Sequence, residues 1–286
     1  MSSYVLTLSC PDRPGLVHAV SSFLFNAGAN ITDSQQFDDA VSGQFFMRVV
    51  LTPADSDDPG QQLEQLREAF TPIAAEYQMT WHFFSSSAPY RTLIMVSRMG
   101  HCLNDLLFRR SIGELNIDVP LVVSNHHDLE RMCASYDVDF HHLPVSRDSK
   151  EAAEGELLGL VEDLDIDLVV LARYMQILSP RVCKALEGKA INIHHSFLPS
   201  FKGSGAYRQA YERGVKLIGA TAHYVTPDLD EGPIIEQDVT RVDHRFTDRQ
   251  LTAAGRDVES QVLARAVRWH TETRLLLDGA RVVVFR

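Results

Sequence analysis

Four short apolar runs, residues 92–97, 119–124, 167–172 and 190–193, recur between stretches of helical spacing. Strands that are apolar on both faces must be covered on both faces, and a parallel sheet with crossover helices above and below it does this. Residues 90–286 are therefore expected to form a Rossmann-like α/β domain with a mostly parallel sheet. A long helix with Leu251, Val258, Val262 and Trp269 on one side, followed by a strand over 281–285, ends it.

Before Tyr90 the rhythm differs. Residues 4–10 read as a strand, 11–15 as a turn, and Leu16, Val17, Val20, Phe23, Leu24 and Ala27 as one helical stripe with Gly28 as its C-terminal cap. Residues 30–38 and 44–52 fit two strands. Leu63, Leu66, Phe70, Ile73 and Tyr77 mark a second helix, and 79–84 a last strand. This βαββαβ order predicts a ferredoxin-like sandwich over 1–84, joined by a linker at 85–89.

Charge narrows the function classes. Of a net charge of -11, residues 1–88 carry ten acidic side chains against three arginines and no lysine. Neither half has the basic stripe that a nucleic-acid backbone requires, so no nucleic-acid partner is expected. No stretch approaches the roughly 18 apolar residues of a membrane span, and Met1-Ser2-Ser3-Tyr4 lacks the basic start of a signal peptide. A cytoplasmic location and no membrane partner are the expectation. Cys10, Cys102, Cys133 and Cys183 are scattered, without metal-ligand spacing, so free thiols and no metal are expected.

In open α/β sheets the reacting groups collect at the carboxyl ends of strands. The segment INIHHSFLPSFKG, residues 191–203, places Asn192 and His194 there, two apart and hence on one face of a strand. His195, between alternate positions, is expected to face away. Some thirty residues on, GATAHYVTPDLDEGPII, residues 219–235, runs from a strand bearing His223 into a turn with Asp228, Asp230 and Glu231. A carboxylate close to His194 would orient its ring and favour the imidazolium, the acid/base pair that acyl chemistry at neutral pH needs.

Together these two segments resemble the formyltransferase-fold family that handles 10-formyltetrahydrofolate. The resemblance implies a catalytic triad of Asn192, His194 and Asp230. His223, on the strand before the Asp230 turn, is expected either to support that triad from behind or to be a structural hydrogen-bonding histidine. The segment LARYMQILSP, residues 171–180, is similar to the family loop that holds the pterin. It gives Tyr174, Gln176, Ile177 and Leu178 a substrate-binding role, completed by Phe197, Val225, Thr226, Pro227 and Asp228. At the other end of the chain, Asp12-Arg13-Pro14-Gly15-Leu16 with the stretch reaching Asn30 and Ile31 resembles an ACT domain. That likeness implies either binding of an amino-acid effector, glycine or methionine, at those seven residues or a purely associating module.

An ACT domain followed by such a domain resembles, over nearly the whole chain, the formyltetrahydrofolate deformylase family. The implied reaction is hydrolysis of 10-formyltetrahydrofolate to formate and tetrahydrofolate, with no prosthetic group. It would supply formate for purine biosynthesis and balance the folate pool. Both resemblances imply a homo-oligomer. In the loop after the first strand of the second domain, Ser97-Arg98-Met99-Gly100-His101-Cys102, one glycine stands among bulky neighbours. A phosphate-bearing acceptor is normally cradled there by backbone N–H groups at a helix start, so this departure favours water as acceptor. Two other readings stay open, formyl transfer to a small or tRNA acceptor and a catalytically silent amino-acid sensor.

Overall fold

The computed structural model describes residues 3–53, 59–199 and 206–286. The chain divides into two compact units, Met1–Ala88 with Glu272–Asp278 and Val283–Arg286, and Pro89–Thr271 with Gly279–Val282.

The first unit runs β1 (Tyr4–Pro11), α1 (Leu16–Asn26), β2 (Asn30–Asp39), β3 (Gln44–Thr52), α2 (Pro59–Glu76) and β4 (Thr80–Ser85). Its sheet has the order β2-β3-β1-β4 with every pair antiparallel. Alternation sets the inner face. Tyr4, Leu6, Leu8 and Cys10 on β1 and Phe45, Met47, Val49 and Leu51 on β3 pack against Leu16, Val20, Leu24, Leu66 and Phe70 of the two helices. The helical stripe expected from sequence is narrower by two residues, because Val17 lies off the i, i+4 row and is 41% exposed, and Ala27 lies past the end of α1 and is exposed. Gly28, at φ 72, ends α1, with Ala29 N–H bonding back to the Leu24 carbonyl.

The chain's last residues belong to this unit, whereas their position in the sequence assigned them to the second domain. Arg48 on β3 explains the return. Its guanidinium is buried and donates to the carbonyls of Thr273 (3.1 Å) and Glu272 (3.0 Å) and to Asp33 (3.1 Å). A buried guanidinium left without those acceptors would be costly.

The second unit begins β5 (Tyr90–Val96), α3 (His101–Ser111), β6 (Ile117–Ser124), α4 (Glu130–Ala134) and β7 (Asp139–His142). It continues α5 (Lys150–Asp163), β8 (Leu168–Leu171), α6 (Pro180–Ala185), β9 (Ala190–His194), α7 (Ala206–Glu212), β10 (Leu217–Tyr224) and β11 (Ile234–Arg241). The long α8 (Asp248–Thr271) precedes a terminal hairpin, β12 (Leu275–Asp278) and β13 (Arg281–Val284).

The seven-stranded sheet has the order β11-β10-β9-β8-β5-β6-β7. From β9 to β7 all neighbours are parallel, and β10 and β11 extend it antiparallel. After β5 the chain winds outward to β7 and then crosses back to β8 on the other side of β5. The carboxyl ends of these strands therefore open at a switch point, where ligand crevices form. Strands β5 and β8 are buried almost throughout, as strands covered on both faces must be. All four cysteines are buried and free, and no described helix is long and apolar enough to cross a membrane.

Candidate active site

The loop leaving β8, the end of β9 and the turn between β10 and β11 converge on one cavity of about 300 Å³. Asn192, His194, Asp230 and His223 all line it. Antiparallel register places Asn192 directly opposite His223 and His194 opposite Thr221. Thr221 then anchors the chain beyond His194: its hydroxyl donates to the Ser196 carbonyl (2.9 Å) and accepts from Leu198 N–H (3.1 Å).

His194 Nδ1 lies 3.2 Å from Asp230 Oδ1, with both side chains under a tenth exposed. A carboxylate only accepts, so Nδ1 carries the proton, and the ring is held with its other nitrogen turned from the acid. Burial alone would raise the Asp230 carboxyl, but hydrogen bonding and charge from His194, with a smaller contribution from His223, hold it below the ordinary carboxylate range.

His223 sets the other half of the site. Its Nδ1 donates to the Tyr224 carbonyl (2.9 Å), and burial lowers its proton affinity, so the ring is neutral. Nε2 is then an acceptor and takes one N–H of the Asn192 amide at 3.2 Å. This assigns the amide's orientation and leaves its second N–H as a donor.

The acidic turn is positioned by close backbone contact. Tyr224 N–H bonds to the Pro233 carbonyl (3.0 Å), and a Cβ added at Gly232 would sit 1.8 Å from the Tyr224 carbonyl oxygen. An alanine at 232 could not be accommodated without displacing the turn that carries Asp230. Asp230 itself has φ 58 and Arg173, just after β8, φ 67. The left-handed region costs a non-glycine residue on the order of 1–2 kcal/mol, less for Asp, so both are held there by their surroundings.

The cavity walls include Tyr174, Gln176, Ile177 and Leu178 after β8 and Val225, Thr226, Pro227 and Asp228 after β10. Thr226 Oγ1 donates to the Asp228 carbonyl (3.0 Å) within the turn. Phe197 does not line the cavity. The segment pinned by Thr221 leaves its ring 43% exposed elsewhere. His195, expected to face away, does line it, its ring centroid 5.2 Å from that of His194. The alternation fails because β9 ends at His194. The end of the INIHHSFLPSFKG segment, residues 200–203, lies outside the described residues.

Sequence reasoning missed Arg173, Met175, Leu171, Cys183 and Leu229 in this lining. Arg173 Nε lies 3.2 Å from the carboxylate of Glu259 on α8, which also receives Tyr207 and His101, the latter at 2.9 Å. One possible ligand atom from each of His101, Cys102 and Glu259 lies within 4.8 Å of the others. The carboxylate is, however, already neutralised by Arg173 and shared by two further donors, which makes this a closed ion-pair network rather than an open metal-ligand set. The loop before α3 is likewise closed inward. Ser97 Oγ donates to Asn125 Oδ1 (2.7 Å) and accepts from Met175 N–H (3.0 Å), and Gly100 packs against Leu129 and Met132.

In the effector region, Asp12, Arg13, Pro14 and Gly15 form the exposed turn into α1, while Leu16 is buried in the core. Gly15, at φ 97, is the N-cap, and no side chain caps the first turn. The Arg13 guanidinium lies 4.3 Å above the Tyr77 ring. Asn30 and Ile31 open β2, exposed and half-buried respectively.

Comparison with known proteins agrees with this architecture. Residues 90–267 match the Formyl transferase family and residues 4–68 the ACT domain family. A formyltetrahydrofolate deformylase of Corynebacterium sp. (strain P-1) is 50% identical over 283 residues, covering 99% of this chain and 98% of the relative. One from Bacillus subtilis (strain 168) is 46% identical, covering 98% of this chain and 93% of the relative. The crystal structure of a formyltetrahydrofolate deformylase from Pseudomonas syringae pv. tomato str. DC3000 is similar with a TM-score of 0.95 and 48% identity, covering 100% of this chain and 95% of that one. The chain belongs to the formyltetrahydrofolate deformylase family, an ACT domain joined to a Formyl transferase domain.

Proposed function

We propose that this chain hydrolyses 10-formyltetrahydrofolate to formate and tetrahydrofolate, with Asn192, His194 and Asp230 as the reacting constellation. The observation that carries this reading is the Asp230–His194 pair and the oriented Asn192 amide on the wall of one cavity. Tyr174, Leu178 and Val225 supply an apolar surface for a flat pterin, and Gln176 with the backbone of Thr226–Asp228 supplies polar edges.

Water adds to the formyl carbon, and the carbonyl electrons move onto oxygen. The second N–H of Asn192 donates to that oxyanion, while the His194–Asp230 pair takes the water's proton. As the carbon–nitrogen bond breaks, the pair returns a proton to the departing nitrogen, and the product acid ionises to formate and one proton. His223 acts through Asn192, keeping the amide turned so that a donor rather than its oxygen meets the developing charge. Residues 90–286 would carry this reaction and residues 1–84 its regulation or association, in a cytoplasmic homo-oligomer whose formate feeds purine synthesis.

Two measurements test it. Purified chain with 10-formyltetrahydrofolate and no acceptor is expected to release formate, and Asn192→Ala to lower kcat by about 10²–10³-fold, the usual loss for one oxyanion donor. Absence of formate above background would leave a transferase or a silent sensor in its place.

For the first unit, the start of α1 in the Asp12–Leu16 turn, which no side chain caps, suits the carboxylate of an amino acid, with Asn30–Ile31 at the opposite end of the sheet. Glycine or methionine is the proposed effector. Titrating each while following formate release and the unfolding temperature is expected to shift both for the one that binds, by linkage. If neither moves either readout, the module only associates.

A further inference from the structure

Arg173 is a charged residue of the cavity wall that the reaction above leaves unused. It lies two residues past the carboxyl end of β8 at φ 67, a conformation glycine adopts without strain and arginine does not. Such a side chain is held at a free-energy cost by its surroundings. Its guanidinium is only 12% exposed and pairs with Glu259, itself 1% exposed, through Nε. The pairing is by charge alone: among the described residues no acceptor meets Arg173 Nε with hydrogen-bonding geometry. Glu259 is meanwhile shared with His101 and Tyr207, so it does not saturate the five N–H groups of the guanidinium.

Arg173 lines the same cavity as His194 and His195. Its field reaches His195, since after burial it is the largest influence lowering that ring's proton affinity. A planar cationic fork at the wall of that cavity matches a carboxylate's two oxygens. Phosphate esters are a poorer match, because Ser97 Oγ and His101 Nε2 of the loop before α3 are already engaged by Asn125 and Glu259.

We propose that Arg173 forms a subsite for a small monocarboxylate beside His194, and that it holds the formate the reaction releases. The identity of formate as its occupant rests on the hydrolase reading; the carboxylate subsite does not. Glu259 acts as an internal competitor, partly neutralising the guanidinium so that the product is held weakly and leaves.

The test uses the purified full chain and sodium formate, with sodium chloride at matched ionic strength and sodium acetate as a larger carboxylate. For a ligand of three heavy atoms, binding of order millimolar is expected, read as a rise in unfolding temperature and as inhibition of tetrahydrofolate appearance. Arg173→Met should weaken formate binding by about tenfold or more, and Arg173→Lys by less, because the charge stays and the fork is lost. Glu259→Gln keeps the shape and one acceptor oxygen but removes the competing charge, and should tighten formate binding several-fold. A formate constant within twofold of the parent in Arg173→Met would make Arg173 no more than a counterion for Glu259, as would formate acting no more strongly than chloride. Should Arg173→Met not fold, Glu259→Gln decides alone: unchanged or weaker formate binding overturns the proposal. Failure of the chain to release formate from 10-formyltetrahydrofolate would remove the hydrolase reading while the salt titrations still judge the subsite.

Discussion

Asp230→Asn is expected to slow formate release by about 10²–10⁴-fold, the range lost when a positioned acid/base partner is removed, with KM little changed. The substitution isolates the charge. Asparagine tolerates the left-handed backbone that Asp230 occupies at φ 58, so the turn survives. Its amide oxygen can still accept from His194 Nδ1, now 3.2 Å from a carboxylate oxygen, so the ring's direction survives as well. What disappears is the negative charge that stabilises a protonated His194 as water adds. Because Asp230 is held below the usual carboxylate range, it stays ionised throughout the neutral range, and the loss should be nearly independent of pH there. Asp230→Ala should lose at least as much and also lower stability, since it removes the acceptor of a buried Nδ1–H. If Asp230→Asn retained more than about a fifth of the parent kcat, far outside the range for acid/base loss, Asp230 would be a residue that shapes its turn, and the proton route would have to run elsewhere.

Much of the fold was legible because it depends on local periodicity. The βαββαβ order and the parallel apolar runs follow from which faces must be buried, and both appear in the sheets. Strands β7 and β11 escaped because Asp139–His142 and most of Ile234–Arg241 lack an apolar run. The C-terminal tail escaped for a different reason: it is recruited by Arg48, more than two hundred residues earlier, and no local pattern encodes that. In the site the same division holds. The common face of Asn192 and His194 follows from strand alternation, and the same rule fails at His195 because the strand has ended. Asp230 could not be picked out from Asp228 on local grounds, since what selects it is the approach of Gly232 to the Tyr224 backbone. Arg173 left no sequence signal at all. Its place in the wall depends on a strained backbone angle and a carboxylate on a distant helix.

Acidification is expected to destabilise the second unit between about pH 6.5 and pH 4, by roughly 6 kcal/mol in all. Two buried histidines set the window. Burial, then the Arg173 charge, lowers His195 to about 4, and burial alone lowers His270 to about 4. His270 is enclosed by Tyr90 and Tyr224, with ring centroids at 5.7 and 5.9 Å, and its Nδ1 shares a 2.9 Å hydrogen bond with the Tyr224 hydroxyl. Both folded-state values lie below the unfolded value near 6.5. The unfolded chain therefore binds protons first as pH falls, so the stabilisation is complete above about 6.5 and is lost progressively down to about 4. Each shift is worth ~3 kcal/mol at about 1.4 kcal/mol per unit. His223, lowered by burial, adds loss of the same sign. Against a usual total of about 5–15 kcal/mol, that is enough to unfold the unit on the acid side while Asp230 and Glu259, both held below the carboxylate range, remain ionised. Urea midpoints measured across this window should fall steadily, and His270→Gln, which keeps an acceptor near Tyr224 without a titrating ring, should remove about half of the slope. Midpoints that stay level to about pH 4.5 would mean that these rings take up protons in the folded state as readily as in the unfolded chain, and the neutral His270–Tyr224 hydrogen bond would then have to be abandoned.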